Sequence, residues 1–128
     1  MHLLTRLRLR PATAIALALV VVLAPAAAAG ESRRGSCSGG PGHWRLVVDQ
    51  VDAGTLRIRF RIEDVPAGQS WQVFLSDDGV RIFSGQRVSD SNGEVRVRRR
   101  TANRASADTI GASGVSATGI TCSGSLTF

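Results

Sequence analysis

The stretch "TLRIRFRIED" (residues 55–64) alternates between apolar and charged side chains without interruption until its last residue. The apolar positions are Leu56, Ile58, Phe60 and Ile62, and the charged positions between them are Arg57, Arg59, Arg61 and Glu63. Successive side chains of a β-strand point to opposite faces of the sheet. A period of two therefore predicts a strand with one buried side and one solvent-facing side.

The same period recurs along most of the chain after residue 42. The stretch "GEVRVRRR" (residues 93–100) repeats the arginine theme, and Trp44 and Trp71 each open an alternating segment. About seven short strands follow one another, separated by turn signals, and no segment keeps a helical period for more than a turn or two. This pattern predicts an all-β fold, a single antiparallel β-sandwich of the immunoglobulin-like type.

Two kinds of connection are expected between these strands. The pair Asn92-Gly93 is a strong hairpin signal, because both residues tolerate positive φ, and it would join residues 80–88 to the strand that follows. The longer links "EDVPAGQS" (residues 63–70) and "TANRAS" (residues 101–106) are expected to cross between the sheets.

The first 29 residues have the parts of a secretory signal peptide. Three arginines without an acid precede an apolar run over residues 12–23, and Ala27 and Ala29 fit the small-x-small cleavage rule. We place cleavage after Ala29. An uncleaved membrane anchor over residues 12–29 is the alternative, but Pro25 and the alanine-rich end favour cleavage. We therefore expect a secreted or otherwise extracytoplasmic protein with no stable membrane span after cleavage.

Cleavage would leave residues 30–128, enough for one small domain. Residues 30–42 ("GESRRGSCSGGPG") show no periodicity and are expected to form a flexible lead-in, and residues 43–128 the β-sandwich. The leader takes three of the sixteen arginines, so thirteen remain against ten acids and the net charge falls from +6 to +3. A charge of this size does not by itself indicate a nucleic-acid-binding protein.

Cys37 and Cys122 lie near the two ends of the mature chain. In an exported protein such a pair predicts one disulfide, which would stabilise the fold by about 4–5 kcal/mol on the chain-entropy account. A metal site is the alternative, but two cysteines with only His43 nearby make a poor ligand set.

Four short motifs recur in one group of known proteins. They are "GQSWQVFL" (residues 68–75), "GEVRVRR" (residues 93–99), "NRA" (residues 103–105) and "CSGSLTF" (residues 122–128). In these motifs the mature part resembles a group of small secreted actinobacterial proteins of uncharacterised function. Ser106 stands where that group usually carries glycine. The resemblance implies an immunoglobulin-like sandwich and export, and it implies no activity.

Catalytic residues are scarce. Once the leader is removed, His43 is the only imidazole, and the chain has neither lysine nor tyrosine. A serine nucleophile needs a base held by a third group, and nothing beside His43 in the sequence offers one. Asp77 and Asp78 have the composition of a turn, and no loop has the acid density of a dedicated calcium site. We expect no enzyme, no metal and no cofactor.

The aromatic residues are expected mainly in the core. Trp44 and Trp71 are in the apolar phase of their strands, and Trp71 matches the tryptophan that sandwich folds often bury. Phe74 and Phe83 are out of phase with their apolar neighbours. Either phenylalanine is therefore a candidate for an exposed anchor that contacts a partner.

The strongest candidate for a site is a set of arginines. In immunoglobulin-type sandwiches the second and fifth strands are usually neighbours, so two rows of arginine would form one anion-binding patch. The Asn92-Gly93 hairpin would instead split that patch. The third possibility is that the arginines only solubilise the sheet or guard its edge. The anion-binding candidates are Arg57, Arg59, Arg61, Arg96, Arg98 and Arg100.

These observations lead to one leading hypothesis for function and one alternative. The leading hypothesis is a non-catalytic, monomeric binding module that contacts an anionic envelope polymer, a lipid headgroup or an acidic protein surface. Nucleic acid is not expected, because the arginines have no ladder of exposed aromatic residues beside them. The alternative is an inhibitor or partner of an extracellular enzyme that acts through a projecting loop at residues 77–79 or 113–119.

Overall fold

The computed structural model describes residues 14–21 and 30–128, and within them the chain forms two packed antiparallel sheets and no helix. The predicted β-sandwich is confirmed, with eight strands. One sheet has the order β1-β2-β3-β6 and the other the order β5-β4-β7-β8. The strands are β1 (Glu31–Ser36), β2 (His43–Asp52), β3 (Thr55–Glu63), β4 (Ser70–Asp77), β5 (Val80–Val88), β6 (Val95–Ala102), β7 (Thr109–Ser116) and β8 (Thr121–Thr127).

The predicted signal peptide lies largely outside the described residues, which include only residues 14–21 of the first 29. Those eight residues form neither helix nor strand, and the cleavage position is not described. Within the described ranges, no helix has the length and apolar character needed to cross a membrane.

The core forms from the apolar phase of the strands, as the period of two predicts. In β3, Leu56, Ile58 and Ile62 are fully buried, and Trp71 of β4 faces them from the other sheet. Trp44 of β2 packs closely on two glycines. A Cβ added to Gly124 of β8 would lie 2.0 Å from the Trp44 ring. A side chain at residue 124 would therefore displace the indole, so glycine is the residue that this contact requires.

Three links cross between the two sheets. The predicted crossings after β3 and after β6 are present, and the link from β5 to β6 crosses as well. The hairpin predicted from Asn92-Gly93 is wrong, because β6 pairs with β3 and not with β5. Those two residues do form a turn. The Asp90 side chain accepts hydrogen bonds from the backbone N–H groups of Asn92 and Glu94, and Gly93 has a φ of 71°.

The lead-in predicted for residues 30–42 contains a strand, which corrects the expectation that this segment lacks regular structure. Strand β1 is antiparallel to β2 and forms one edge of its sheet. Most of its side chains are exposed, so no apolar alternation marks it in the sequence. Its pairing depends on backbone hydrogen bonds, which the residue pattern does not reveal.

The two out-of-phase phenylalanines differ in position. Phe83 is buried in the core, so the hypothesis of an exposed anchor is wrong for it. The pairing of β4 with β5 shifts at Leu75 and Ser76, where Ile82 is the extra residue on β5. This β-bulge reverses the phase of the strand and turns Phe83 inward. Phe74 is half-buried on the outer face, with the guanidinium of Arg81 4.1 Å from its ring centre.

The predicted disulfide is present. Cys37 and Cys122 are joined by a bond of 2.05 Å across a sequence separation of 85 residues. Cys122 is fully buried, as the apolar phase of β8 predicts. Beside the bond, Ser38 and Thr121 form an antiparallel bridge through their backbones. Together these links join β1, at the edge of one sheet, to β8, at the edge of the other.

Candidate anion-binding site

The pairing of β3 with β6 brings both rows of predicted arginines together. The two strands are antiparallel neighbours, and their register places arginine opposite arginine three times in succession. The opposed pairs are Arg57 and Arg100, Arg59 and Arg98, and Arg61 and Arg96. The three pairs share one solvent-facing side of the sheet, because each member is two residues from the next along its own strand.

Two further arginines belong to the same surface and were missed from the sequence. Arg45 of β2 is the register partner of Arg61, and Arg34 of β1 is the register partner of Arg45. The polar phase of β2 indicated that Arg45 faces solvent, but only the strand order shows that it adjoins the others. We call this surface the arginine face; its arginines are Arg34, Arg45, Arg57, Arg59, Arg61, Arg96, Arg98 and Arg100.

Asp49 of β2 neutralises one corner of the arginine face. Both of its carboxylate oxygens accept hydrogen bonds from Arg57, one of them from Nε at 3.2 Å, and Arg59 approaches to 3.8 Å. The hydrogen bond from Arg57 holds the pKa of the Asp49 carboxyl below its usual value of 3.8; the charges of Arg57, Arg59 and Arg98 act in the same direction, and partial burial opposes them. Asp49 therefore stays ionised and fixes Arg57 in place.

Two glutamates pair with arginines at the opposite end of the face. Glu63 accepts a hydrogen bond from Arg61 at 3.0 Å, and Glu94 accepts two from Arg96, the shorter at 2.6 Å. Among the described residues, no carboxylate lies within 4.0 Å of the four remaining arginines of the face, which are Arg34, Arg45, Arg98 and Arg100. The unneutralised positive charge of the face therefore lies on β6, at Arg98 and Arg100, and on β1 and β2, at Arg34 and Arg45.

Two shallow depressions lie between these side chains. One has a volume of about 290 Å³; it lies between the row of Arg45, Arg61 and Arg96 and the adjacent row of Arg59 and Arg98. The second, of about 300 Å³, lies around Arg57, Arg98, Arg99 and Arg100. Arg98 lines both depressions. Each depression offers several guanidinium groups to one anion, and guanidinium can donate two parallel hydrogen bonds to a phosphate or a carboxylate.

Other arginines lie away from the arginine face. Arg99 points to the opposite side of β6, with its guanidinium 4.4 Å from the centre of the Phe83 ring. Arg87 approaches the same ring at 5.1 Å, and Arg33 donates a hydrogen bond to the backbone oxygen of Ser125. Arg33 and Arg87 carry the same charge as the face but pack against neutral groups and line neither depression, so they provide matched controls for it; Arg99 borders the second depression.

His43 has a carboxylate partner that the sequence did not reveal. Its Nδ1 lies 3.2 Å from Oδ2 of Asp64, and both side chains are largely exposed. Asp64 has a φ of 59°, which turns the chain after β3 back toward the start of β2. Ser36 is the register partner of His43. Among the described residues, however, the His43 ring is hydrogen-bonded to Asp64 and not to Ser36.

The loops considered for an inhibitor are less prominent than predicted. Within residues 113–119, Ser113 and Ser116 belong to β7, so only residues 117–119 form a turn. Within residues 77–79, Asp77 is buried, and the Asp78 carboxylate accepts a hydrogen bond from the backbone N–H of Thr109 at 2.8 Å. Asp108, far away in the sequence, joins these two acids in space. Only the strand order, and not the spacing of residues in the sequence, could have indicated that the three carboxylates lie close together.

Comparison with known proteins identifies no relative of this chain. No family model matches it, and no curated protein matches it. Among solved structures, β-glucosidase 3B from Thermotoga neapolitana, determined in complex with glycerol, is similar over 77% of this chain at 16% identity and a TM-score of 0.36. The similarity covers 16% of that enzyme's chain and, at this TM-score, supports no statement about activity. The resemblance to secreted actinobacterial proteins stays a prediction.

Proposed function

We propose that this protein is an exported, non-catalytic binding module that contacts anionic components of the cell envelope through the arginine face. The observation that carries the proposal is the register of β3 and β6, which sets three pairs of arginines directly opposite one another. Like charges at such positions destabilise a sheet. A bound anionic ligand would remove that repulsion, so ligand binding would restore the stability that the opposed arginines cost the sheet.

The spacing of the arginines favours a ligand with repeated charges. Alternate residues of a strand are about 6.6–6.8 Å apart, and neighbouring strands are about 4.8 Å apart. Three opposed pairs therefore extend about 14 Å along β3 and β6. An extended polymer with one phosphate or carboxylate per repeat could contact successive pairs, whereas a single small anion could use only one depression.

The chemistry of the face suits phosphate and carboxylate equally well, because guanidinium binds both in a bidentate manner. A lipid headgroup and an acidic protein surface are therefore further candidates for the same site. Nucleic acid fits less well. Within the described residues, His43 places its ring on the solvent side of the arginine face, where it is paired with Asp64, and no tryptophan or phenylalanine lies there as a platform for a base.

The absence of catalysis is part of the proposal. His43 is exposed, its ring is paired with Asp64, and its neighbour Ser36 is not hydrogen-bonded to it among the described residues. A histidine in solvent lacks the fixed contact to a nucleophile that general-base catalysis requires. These features support a binding role in preference to hydrolysis.

Salt dependence of binding tests the proposal. The oxidised protein would be titrated with a poly(glycerol phosphate), with polygalacturonate and with vesicles of phosphatidylglycerol in phosphatidylcholine, over a range of salt concentrations. The variant Arg45→Thr/Arg98→Thr/Arg100→Thr removes three arginines of the face without leaving an acid unpaired. We expect wild-type affinity to fall steeply with salt, and the slope of log K against log salt to be about 2 smaller in the variant, at ~0.7 per contact.

The matched control removes the same charge elsewhere. The variant Arg33→Thr/Arg81→Thr/Arg87→Thr keeps the face intact, and we expect it to bind with the wild-type slope. If both triple variants lose affinity equally, only net charge matters and the arginine face is not a site. If the wild type binds none of the three probes at low salt, the proposal is wrong. Salt-resistant binding to an extracellular enzyme would instead support the loop-mediated alternative.

A further inference from the structure

Three carboxylates meet at one end of the sandwich, away from the arginine face. Asp77 is the last residue of β4, Asp78 lies in the turn to β5, and Asp108 immediately precedes β7. One oxygen of each lies within 4.8 Å of the others. Asp77 and Asp108 are 1% and 0% exposed, whereas Asp78 is exposed. Buried carboxylates in such proximity need a counter-charge, because burial removes the water that would otherwise screen their repulsion.

Short hydrogen bonds hold one oxygen of Asp77 and one oxygen of Asp78. Oδ2 of Asp77 accepts a hydrogen bond from the hydroxyl of Thr101 at 2.7 Å, and Oδ1 of Asp78 accepts one from the backbone N–H of Thr109 at 2.8 Å. Thr101 belongs to β6, in the opposite sheet, so its hydrogen bond to the Asp77 carboxylate crosses the interior of the sandwich.

The remaining oxygens of the cluster lack full satisfaction. Oδ2 of Asp108 accepts a hydrogen bond from the backbone N–H of Arg104 at 3.3 Å, and Oδ2 of Asp78 receives only the Arg104 guanidinium at 3.4 Å. Oδ1 of Asp77 and Oδ1 of Asp108 are buried and have no hydrogen-bond partner among the described residues. Two buried, unpartnered carboxylate oxygens thus belong to a cluster that already holds a third carboxylate.

The Arg104 guanidinium gives the cluster one positive charge against three carboxylates, and a proton or a cation could supply the rest. One shared proton would neutralise one of three carboxylates. A divalent ion would neutralise two, which with the Arg104 guanidinium balances all three, and the unpartnered oxygens of Asp77 and Asp108 are available as ligands.

We propose that Asp77, Asp78 and Asp108 bind a calcium ion. The donors are all oxygen, which suits a hard cation and excludes the soft-ligand sites that zinc or copper prefers. Ca²⁺ accepts six to eight oxygens in flexible geometry, whereas Mg²⁺ demands a near-ideal octahedron. The three carboxylates come from the end of a strand, a turn and a distant link. This arrangement suits the flexible coordination of Ca²⁺ better than the octahedron of Mg²⁺. If the protein is exported as expected, a Kd of about 0.1–1 mM is appropriate for such a module.

Calorimetric titration of the chelator-treated protein with CaCl₂ tests this proposal, together with the thermal unfolding midpoint at increasing CaCl₂. We expect one saturable site and a midpoint that rises with calcium concentration, since a ligand that binds only the folded state stabilises it. MgCl₂ at the same ionic strength should give a clearly smaller shift.

The variant Asp78→Asn removes one ligand while preserving the fold. Asn tolerates the φ of 49° at residue 78, and its side-chain oxygen can still accept the hydrogen bond from Thr109. We expect the calcium Kd to weaken by at least the roughly 10- to 100-fold that loss of a supporting group costs a metal site. Asp90→Asn, which makes the same change in another turn, is the control and should leave the Kd unchanged.

Three results would overturn the proposal. The first is a wild-type midpoint that does not respond to millimolar calcium. The second is Asp78→Asn binding calcium as tightly as Asp90→Asn does. The third is an equal response to magnesium and calcium, which would indicate general screening of charge. If calcium has no effect and Asp108→Asn alone raises the midpoint, a shared proton occupies the cluster instead. None of these outcomes depends on the arginine face.

Discussion

Asp49 shows how one residue controls the geometry of the arginine face. Its carboxylate binds Arg57 through both oxygens and lies 3.8 Å from Arg59, so it holds two cations that would otherwise separate. Nothing in the sequence indicated this contact, because the two strands that bring Asp49 to Arg57 had first to be paired.

The Asp49 contact predicts an effect of acid on stability. The pKa of Asp49 is lowered in the folded protein by the Arg57 hydrogen bond, so the unfolded chain binds the proton more tightly. The stabilising contribution is therefore complete above the unfolded value of 3.8 and is lost as pH falls through the lower folded pKa. We expect Asp49→Asn to remove this part of the acid destabilisation, as measured by urea unfolding at a series of pH values.

The matched control for this prediction is Asp52→Asn. The Asp52 side chain accepts a hydrogen bond from the backbone N–H of Gly54, a contact that asparagine can also make. This variant should keep the acid dependence of the wild type. An Asp49→Asn protein whose stability falls with acid as steeply as that of Asp52→Asn would contradict the ion-pair account.

At the scale of elements, the pairing of β3 with β6 has an energetic cost. Glutamates neutralise both members of the Arg61–Arg96 pair, but in the other two pairs the arginine of β6 has no carboxylate partner among the described residues, and salt or a bound anion must screen it. Arg98 faces Arg59 in the register, and it has no carboxylate within 4.0 Å among the described residues. At Arg98, therefore, the positive charge that would bind an anion is also the charge that most directly lowers the stability of the folded protein.

The substitution Arg98→Glu should make the protein more stable and a weaker anion binder. A glutamate opposite Arg59 replaces repulsion with attraction, a change worth about 0.2–1 kcal/mol for a cross-strand pair. Urea unfolding at low salt would measure the gain, and the gain should shrink as salt rises. Arg99→Glu, on the other side of the same strand, should show no such gain. A loss of stability in Arg98→Glu would mean that the opposed arginines do not repel each other appreciably.

The elements also show which parts of the fold the sequence could reveal. Alternation identified β2, β3, β4, β6 and β8, and it identified the polar phase that carries the arginines. Strand β1 was missed because backbone hydrogen bonds hold it in the sheet and its exposed side chains show no apolar alternation. Phe83 was assigned to the outer face because a β-bulge reverses the phase of β5. Asn92-Gly93 indicated a turn correctly, but a local turn signal does not determine whether the next strand stays in the same sheet.

At the scale of the whole molecule, the two sheets are joined covalently at one edge. The disulfide and the backbone bridge connect β1 to β8, while β5 and β6 at the other edge have no such link among the described residues. The sequence predicted this disulfide because only two cysteines were available. It predicted six of the eight arginines as one patch, on the expectation that their two strands are neighbours. It could not predict that Arg34 and Arg45 adjoin them, or that three carboxylates cluster, because both depend on the order of the other strands.

Removal of the disulfide should destabilise the fold without changing its architecture. The bond spans 85 residues, and closing a loop of that size in the unfolded chain is worth about 4–5 kcal/mol. We expect Cys37→Ala/Cys122→Ala to lose about that much of the free energy of unfolding, measured by urea denaturation at neutral pH. A loss below about 1 kcal/mol would mean that the unfolded chain gains little freedom when the bond is absent.

The position of the disulfide also determines how the domain would respond to mechanical tension. A pull on the two ends of the sandwich reaches Cys37 and Cys122 before it reaches most of the strands, and the covalent bond then carries the load. Only the short segments outside the bond, residues 30–36 and 123–128, could extend, by roughly 45 Å at full stretch. Strands β2 to β7, with the arginine rows of β3 and β6, would stay folded under a force that unravels an uncrosslinked sandwich.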